Sequence, residues 1–156
     1  MLDAIRVLSE HTGEVRRRLF EILVTLPEEE YRRDLGTGHR AISGTLWHMA
    51  GAEDYWIGRV LTGKGPMLPD VERVPLPADL QKLWAGLAAR TREYLDSLTE
   101  TELGREIEWH WSSGQAVHFT VGKALLHFLT HEIHHRGQVI AMYRQLGHEP
   151  PEVDFI

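Results

Sequence analysis

Apolar residues recur at helical spacing in four long stretches of the chain, and each stretch is bounded by residues that stop or start helices. Pro27 follows the first stretch, Pro77 suits the first turn of the third because its missing N–H would be unpaired there anyway, and Thr120 can cap the fourth. The second stretch ends at the glycine- and proline-containing segment TGKGP. The predicted helices span residues 2–26, about 41–61, 77–99 and 121–146.

A different pattern separates the third and fourth predicted helices. Thr99 and Glu102 have the T-x-x-E spacing of a capping box, which predicts a short extra helical turn. The segments REIEWHW and QAVHFT then alternate partly between apolar and polar residues around a Ser-Ser-Gly sequence, which predicts a β-hairpin or a hairpin-like loop. Four long helices and little strand predict an all-α protein, a four-helix bundle formed by one domain over residues 1–156, with the small hairpin before the last helix.

Length and composition limit the function classes. At 156 residues the chain is long enough for one domain with an apolar core, and no apolar run approaches the roughly 18 residues that span a membrane. The amphipathic N-terminal stretch carries Asp3 and does not resemble a signal peptide. The chain has no cysteine, which excludes thiolate ligands and cysteine nucleophiles. We therefore expect a cytoplasmic protein without a membrane partner.

Charge argues against nucleic acid as the main partner. The formal net charge is −6, whereas phosphate binding relies on clustered lysine and arginine. The one basic run, the three arginines at 16–18, is short and is followed by Leu19 and Phe20. A solvated helix face is the preferred interpretation of this run.

Histidines are numerous, and three of them share one side of the last predicted helix. The chain contains ten histidines, of which His127, His131 and His135 follow one another at intervals of four. Each is rotated by only about 40° from the one before. On the helical wheel His135 points close to the centre of the apolar stripe, His131 lies beside it, and His127 lies nearer the edge. Inward-facing imidazoles need partners; a metal ion would satisfy them, although a hydrogen-bonded core pair would do so too.

Residues 131–135, HEIHH, also match the zinc-protease pattern H-E-x-x-H, with Glu132 in the position of the general base. The longer form of that pattern would require glycine at Gln138 and histidine at Ala141. A downstream glutamate ligand would lie in the short proline-containing tail after the helix. Glu132 lies near the buried stripe, so wheel geometry alone leaves a base role open. A protease is nevertheless disfavoured, and a third ligand is expected from another helix.

The second predicted helix offers two candidate groups, His48 and Glu53, within TLWHMAGAEDYW. On its wheel Glu53 lies nearer the centre of the apolar stripe than His48, which is displaced by about a quarter-turn. A buried carboxylate needs a partner, so Glu53 could orient a ligand imidazole, act as a fourth ligand, or pair with an arginine from another helix. Support of an imidazole is the preferred role, and the neighbouring Asp54 is predicted to be solvated.

Three segments together resemble the DinB/YfiT-like metal-binding superfamily over essentially the whole chain. They are TLWHMAGAEDYW in the second helix, LLHFLTHEIHHRGQVIAMYRQLG in the last helix, and the tail PPEVDFI. The resemblance implies a four-helix bundle in which His48, His131 and His135 hold one divalent metal ion. It also implies that the H-E-x-x-H match around Glu132 is a coincidence of spacing.

The same resemblance implies a function in small-molecule chemistry. The superfamily includes metal-dependent transferases that use low-molecular-weight thiols such as bacillithiol or mycothiol, which suggests thiol transfer in detoxification or stress response. Glu53 and His127 are then candidates to support a ligand or to handle protons. The alternatives are a metal-dependent hydrolase and a non-enzymatic metal-binding dimer. We expect zinc, nickel or iron as the metal, a small-molecule substrate, and a homodimer with Trp109 and Trp111 as candidate contacts.

Other conspicuous residues have structural interpretations. Gly137 is predicted to allow a close helix crossing, since glycine inside a helix is otherwise unfavourable. Arg136 could form a structural ion pair or bind an anionic substrate, and the structural role is preferred. The remaining histidines have no partner spacing and receive no predicted function: His11, His39, His110, His118 and His148.

Overall fold

A computed structural model describes residues 1–155, most of which lie in helices. The elements are, in order, α1 Leu2–Leu23, α2 Glu28–Arg32, α3 Ile42–Glu53, a π-helix Asp54–Leu61, α4 Pro77–Ser97, α5 Glu100–Leu103, β1 Glu106–His110, β2 Ala116–Thr120 and α6 Val121–Gln145. No helix in this part of the chain is both long and apolar enough to cross a membrane. The predicted helical bundle with a hairpin before the last helix is confirmed.

The predicted helix starts are confirmed by their local geometry. Pro77 occupies the first turn of α4. The Thr99 side chain accepts a hydrogen bond from the backbone N–H of Glu102 at 3.3 Å and opens the short helix α5. Thr120 accepts one from the backbone N–H of Lys123 at 3.2 Å and caps α6.

The second predicted helix is present but changes form halfway. α3 ends at Glu53, and residues 54–61 continue as a π-helix. Asp54, predicted to be solvated, is 5% exposed and pairs with the guanidinium of Arg90 from α4, so that prediction is wrong. Gly58 leaves room for this pair, because a Cβ there would lie 2.6 Å from Arg90 Nη2. Two backbone N–H groups of the following loop also donate to the Asp54 carboxylate at 2.9 Å.

The link between the first two long helices contains a short helix that the apolar pattern does not predict. α2 buries Tyr31 in the core, and the Tyr31 hydroxyl donates to the backbone carbonyl of Pro75 at 3.2 Å. A tight loop at residues 35–40 then leads into α3. The backbone N–H of His39 donates to Thr45 Oγ1 at 3.1 Å, which holds this loop against the first turn of α3.

The predicted hairpin is an antiparallel pair with residues 106–110 opposite residues 120–116. Its turn places Gly114 at φ 83°, a left-handed conformation that glycine adopts easily. Trp109 of β1 donates from Nε1 to the Tyr55 hydroxyl at 2.8 Å. The hairpin is therefore anchored to the π-helix.

The long helices pack around two apolar clusters stacked along the bundle. α1 and α3 each pack against α4 and α6. One cluster joins the second half of α1, most of α3, the first half of α4, and the last part of α6. The other joins the start of α1, the π-helix, the end of α4 and the first half of α6. Helices α1 and α6 therefore run in one direction and α3 and α4 in the other, which the long connections allow.

Between the two apolar clusters lie three charged side chains, Arg16, Glu53 and Glu132, which we call the charged layer. The predicted solvated face holds for Arg17, whose side chain is 53% exposed. It is wrong for Arg16, whose side chain is 12% exposed because α1 turns this position towards α3 and α6. The single guanidinium of Arg16 contacts both carboxylates of the layer, so each buried negative charge has a cation beside it.

Candidate metal centre

Three histidines that are distant in sequence meet where α3 packs against α6. His48 projects from α3, and His131 and His135 project from successive turns of α6. His48 Nε2 lies 2.9 Å from His131 Nε2. The His135 ring centroid lies 4.6 Å from that of His48 and 4.3 Å from that of His131. The structure therefore brings the three sequence-predicted ligands to one place.

These imidazoles are held in the neutral form that binds metal. All three are partly buried. Burial, reinforced by the neighbouring imidazoles, lowers the pKa of His48 and of His131 to about 4. Burial also lowers the pKa of His135. At neutral pH the rings therefore lack the second proton that would compete with a metal ion.

The nitrogens of His48 and His131 are spaced almost as two ligands of one divalent metal ion are. Imidazole nitrogens bind zinc at about 2.0–2.1 Å, which places two ligands of a tetrahedral site about 3.3 Å apart. The 2.9 Å between the His48 and His131 nitrogens is slightly shorter, so a small side-chain rotation would admit an ion. The same spacing also allows a hydrogen bond between the two rings when one of them carries its proton at Nε2. Imidazole ligands suit zinc, nickel and iron.

The match to a known family covers the whole chain. The DinB family model matches residues 1–156. The chain belongs to the DinB family. Among its relatives, the protein DinB of Bacillus subtilis (strain 168) is 23% identical over 160 residues, which cover 99% of this chain and 93% of that protein.

Two crystal structures share the fold of this DinB-family chain. A conserved protein from Enterococcus faecalis superposes with a TM-score of 0.71 at 20% identity, over 92% of this chain and 97% of that one. The DinB-like protein YjoA from Bacillus subtilis gives a TM-score of 0.67 at 21% identity, over 94% of this chain and 96% of that one. At this identity the likeness concerns the fold, and it confirms the predicted DinB-like bundle.

In this DinB-family chain, Gln138 fixes the orientation of one predicted ligand. Gln138 Oε1 lies 2.7 Å from His135 Nδ1. An amide oxygen only accepts hydrogen bonds, so His135 Nδ1 carries the proton and Nε2 is left for a metal. The Gln138 amide nitrogen in turn lies 3.1 Å from His134 Nε2. Sequence reasoning missed Gln138, although its position three residues after His135 places it on the same side of α6.

A fourth histidine, His39, joins the three predicted ligands, although no function was predicted for it. Its ring stacks on His48 with the centroids 3.8 Å apart and an interplanar angle of 28°. One ligand nitrogen from each of His39, His48 and His135 lies within 4.8 Å of the other two. His39 belongs to the loop before α3, so helical periodicity could not find it. We call His39, His48, His131 and His135 the histidine cluster.

His127, predicted to support a ligand or to handle protons, lies beside the histidine cluster on an exposed part of α6. Its ring centroid is 6.1 Å from that of His131 and 4.9 Å from that of Trp56. Trp56 in turn packs edge-to-face on Trp111 and Phe119. Through these ring contacts His127 connects the cluster to a wall of aromatic side chains, which we call the aromatic wall (Trp56, Trp111 and Phe119).

Glu53 forms an ion pair, one of the three roles open to it, rather than the preferred contact with an imidazole. One carboxylate oxygen accepts a hydrogen bond from Thr91 Oγ1 at 2.6 Å. The other accepts from Trp84 Nε1 at 2.6 Å and lies 3.1 Å from Arg16 Nη1. These partners belong to α1 and α4, whereas His48 meets the histidines of α6. Arg16 is thus the arginine from another helix that pairs with Glu53.

Glu132, the glutamate of the H-E-x-x-H match, is part of the charged layer. It is 2% exposed, and Arg16 binds both of its oxygens, Nε to Oε1 at 2.9 Å and Nη2 to Oε2 at 2.7 Å. Burial raises the pKa of Glu132, and the neighbouring guanidinium opposes that rise. Burial disfavours the charge on Arg16, but the carboxylates of Glu132 and Glu53 outweigh it and raise the pKa of Arg16. A carboxylate engaged in this way is not placed to act as a base at the histidine cluster.

Arg136 is buried near the charged layer, whereas Gly137 lies on the surface. Burial lowers the pKa of Arg136, and the nearby Glu132 carboxylate offsets only part of this effect. Arg136 Nη1 has no hydrogen-bond partner within residues 1–155. A Cβ at Gly137 would meet nothing within 4 Å in the same part of the chain, so the predicted close helix crossing at Gly137 is wrong.

Proposed function

We propose that this chain holds one divalent metal ion with His48, His131 and His135 and transfers a low-molecular-weight thiol to an electrophilic small molecule. The thiol is of the bacillithiol or mycothiol type, and the reaction serves detoxification or stress response. The proposal extends membership of the DinB family to a specific activity.

The observation that carries the proposal is the meeting of three neutral imidazoles from two helices. His48 and His131 bring their Nε2 atoms to 2.9 Å, and the His135 ring lies against both. Structural zinc sites are closed by four protein ligands, whereas three histidines leave a coordination position for a reactant. The arrangement therefore supports a catalytic site more than a structural one.

The residues around the three histidines have separable roles in this chemistry. A divalent ion in such a site acts as a Lewis acid that favours the deprotonated form of a thiol or a water at its open position. Gln138 keeps the His135 proton at Nδ1, so that Nε2 would be the atom that binds the ion. The aromatic wall begins at Trp56, next to His127, and offers an apolar surface for the electrophile.

Thiol transfer is preferred over metal-dependent hydrolysis and over a non-enzymatic metal-binding dimer. The chain contains no cysteine, so a sulfur nucleophile has to come from a second molecule. Hydrolysis would be helped by a carboxylate base beside the ion, but Glu132 is fully engaged with Arg16. A cytoplasmic location follows from the proposal, because low-molecular-weight thiols are kept reduced there.

A homodimer is part of the proposal, since two-fold dimers are the commonest oligomers. Trp109 and Trp111, the candidate contacts, are both partly buried within their own chain. Trp109 donates to Tyr55, and Trp111 packs on Trp56. Light scattering on the purified protein measures the assembly state, and a monomer would contradict this part of the proposal.

Metal content is the first test of the proposal. Untagged protein loaded with zinc, nickel or iron(II) and freed of excess ions should retain one ion per chain by mass spectrometry. His48→Ala and His135→Ala should each lose the ion, because they remove ligands on different helices. His118→Ala is the matched control, since His118 is exposed on β2. Retention of the ion in His48→Ala would contradict a site shared by α3 and α6.

Thiol-dependent turnover is the second test. The loaded protein should catalyse substitution of a chloronitrobenzene, in which the thiolate sulfur bonds to the ring carbon, chloride leaves, and the thiol proton goes to buffer. His48→Ala should abolish this rate and His118→Ala should preserve it. Turnover of ester or amide substrates without thiol would indicate the hydrolase. A fully loaded protein without turnover of either kind would favour the non-enzymatic metal-binding dimer.

A further inference from the structure

The loop at residues 35–40, just before α3, has an unusual backbone conformation. Gly36 and Gly38 have φ angles of 70° and 54°, and Arg40 has a φ angle of 71°. Arg40 is the only non-glycine residue with a positive φ among residues 1–155. A residue with a side chain seldom adopts this conformation, and it persists where the surrounding contacts require it.

Hydrogen bonds across the loop hold it in this shape. The backbone N–H of Leu35 donates to the carbonyl of Arg40 at 2.6 Å. The backbone N–H of Arg40 donates to the carbonyl of Thr37 at 2.8 Å, and its side chain pairs with Asp34. The result is a closed loop that presents His39 near its end.

The loop packs directly on the side chain that orients His135. A Cβ at Gly38 would lie 2.8 Å from Gln138 Oε1 and 2.9 Å from Thr45 Oγ1, so the contact requires glycine. Gln138 Oε1 is also the atom that accepts the hydrogen bond from His135 Nδ1–H. The amide group of Gln138 therefore contacts the loop and also fixes the orientation of His135.

This loop brings an exposed imidazole to the predicted ligands. The His39 ring stacks on His48, and its ligand nitrogen lies within 4.8 Å of those of His48 and His135. Two ligands of a tetrahedral ion lie about 3.3 Å apart, so the His39 nitrogen lies at most about 1.5 Å beyond ligand spacing. Its ring also has to turn out of its stacked position on His48 to point at the same ion. A side chain on a surface loop makes such a movement more easily than one on a packed helix.

We propose that His39 is a displaceable fourth metal ligand. The inference rests on the proposed metal site of His48, His131 and His135. Without substrate, His39 would bind the ion together with these three histidines. A thiolate would displace His39, and its imidazole would return to its stacked position on His48. The loop would thereby shield the ion from other anions in the absence of the thiol.

Two affinities measured on His39→Ala test this proposal, because they are expected to change in opposite directions. The affinity for zinc, measured by competition with a chromophoric chelator, should fall about tenfold, since a supporting ligand is lost. The affinity of the cobalt(II) form for azide, followed by visible absorption, should rise about tenfold, since azide no longer has to displace an imidazole. Damage to the loop alone would weaken zinc binding without favouring azide.

Matched variants separate this inference from the proposed function. His118→Ala should leave both affinities unchanged, and the thermal stability of metal-free His39→Ala should equal that of wild type because His39 is exposed. Unchanged zinc and azide affinities in His39→Ala would overturn the fourth ligand. A fall in zinc affinity without a rise in azide affinity would overturn its displacement. If the ion survived in His48→Ala, or wild type bound none, the three-histidine site would fail and this inference with it.

Discussion

Arg16 pairs with two buried carboxylates, and its replacement by methionine is expected to destabilise the fold strongly. Its guanidinium binds both oxygens of Glu132, at 2.9 and 2.7 Å, and lies 3.1 Å from Glu53. Methionine preserves much of the apolar stem of arginine but removes the charge and every hydrogen-bond donor. Arg16→Met therefore leaves both carboxylates inside the bundle without the guanidinium that contacts them.

Most of the expected loss of stability comes from Glu132. Glu53 keeps its hydrogen bonds from Trp84 and Thr91, whereas the Glu132 carboxylate loses the two that Arg16 donates. Removing one partner of a buried ion pair costs roughly 3–5 kcal/mol. We therefore expect Arg16→Met to lower the free energy of unfolding by about 4 kcal/mol at neutral pH, a large share of the stability of an ordinary domain.

The loss of stability in Arg16→Met should be smaller at lower pH. Burial raises the pKa of Glu132, and the variant lacks the guanidinium that opposes the rise. The folded variant then takes up a proton at a higher pH than the unfolded chain, whose glutamates have a pKa of about 4.3. The resulting stabilisation is complete below the unfolded pKa and is lost as the pH rises through the folded pKa. Arg16→Met should therefore lie closer to wild type at pH ~5 than at pH ~7.5.

Urea unfolding of the proteins with a chelator present measures these free energies without a contribution from bound metal. Arg17→Met is the matched control, because Arg17 pairs with Glu14 and Glu21 on the surface, where solvent screening leaves an ion pair with little effect on stability. Adding Glu132→Gln to Arg16→Met should restore part of the loss. A loss below about 1 kcal/mol that is equal at both pH values would refute the reasoning.

Two pairs of glycines give further predictions, all measured by urea unfolding. Gly58→Ala should cost about 3 kcal/mol, because its Cβ would lie 2.6–2.8 Å from the guanidinium of Arg90 and disturb a buried ion pair. Gly51→Ala, with nothing within 4 Å of its Cβ in the described chain, should instead stabilise α3 by about 1 kcal/mol. Gly38→Ala should cost about 2 kcal/mol and Gly36→Ala about 1 kcal/mol, since both positions have positive φ but only the first would also overlap side chains. Equal effects within either pair would contradict these explanations.

The elements of the fold could be predicted because their causes are local in sequence. Pro77, Thr99 and Thr120 start helices through atoms of their own or of residues three positions away. The spacing of His131 and His135 likewise places two rings on one side of α6 without reference to any other helix. The resemblance, not the spacing, supplied His48 as the expected third ligand.

Contacts between helices could not be predicted in the same way. Arg16 was predicted to be solvated because it begins a run of arginines, yet its partner Glu132 lies 116 positions further along the chain. The role of Glu53 depended on that same arginine. His39 was overlooked because an irregular loop, rather than a helical repeat, carries it to His48. Each error concerns which side chain meets which, and that depends on how helices are rotated against one another.

The charged layer affects the candidate metal centre by fixing how the two helices that carry the histidines are rotated. His131 and Glu132 are adjacent on α6, so their side chains point about 100° apart, one towards His48 and one towards Arg16. On α3, Glu53 follows His48 by five residues and likewise contacts Arg16. Apolar residues at these positions would pack as well, and they would tolerate a slight turn of either helix. A two-point contact with one guanidinium does not tolerate such a turn. We infer that the buried charges hold α3 and α6 in the one rotation that brings His48 and His131 within reach of a shared ion.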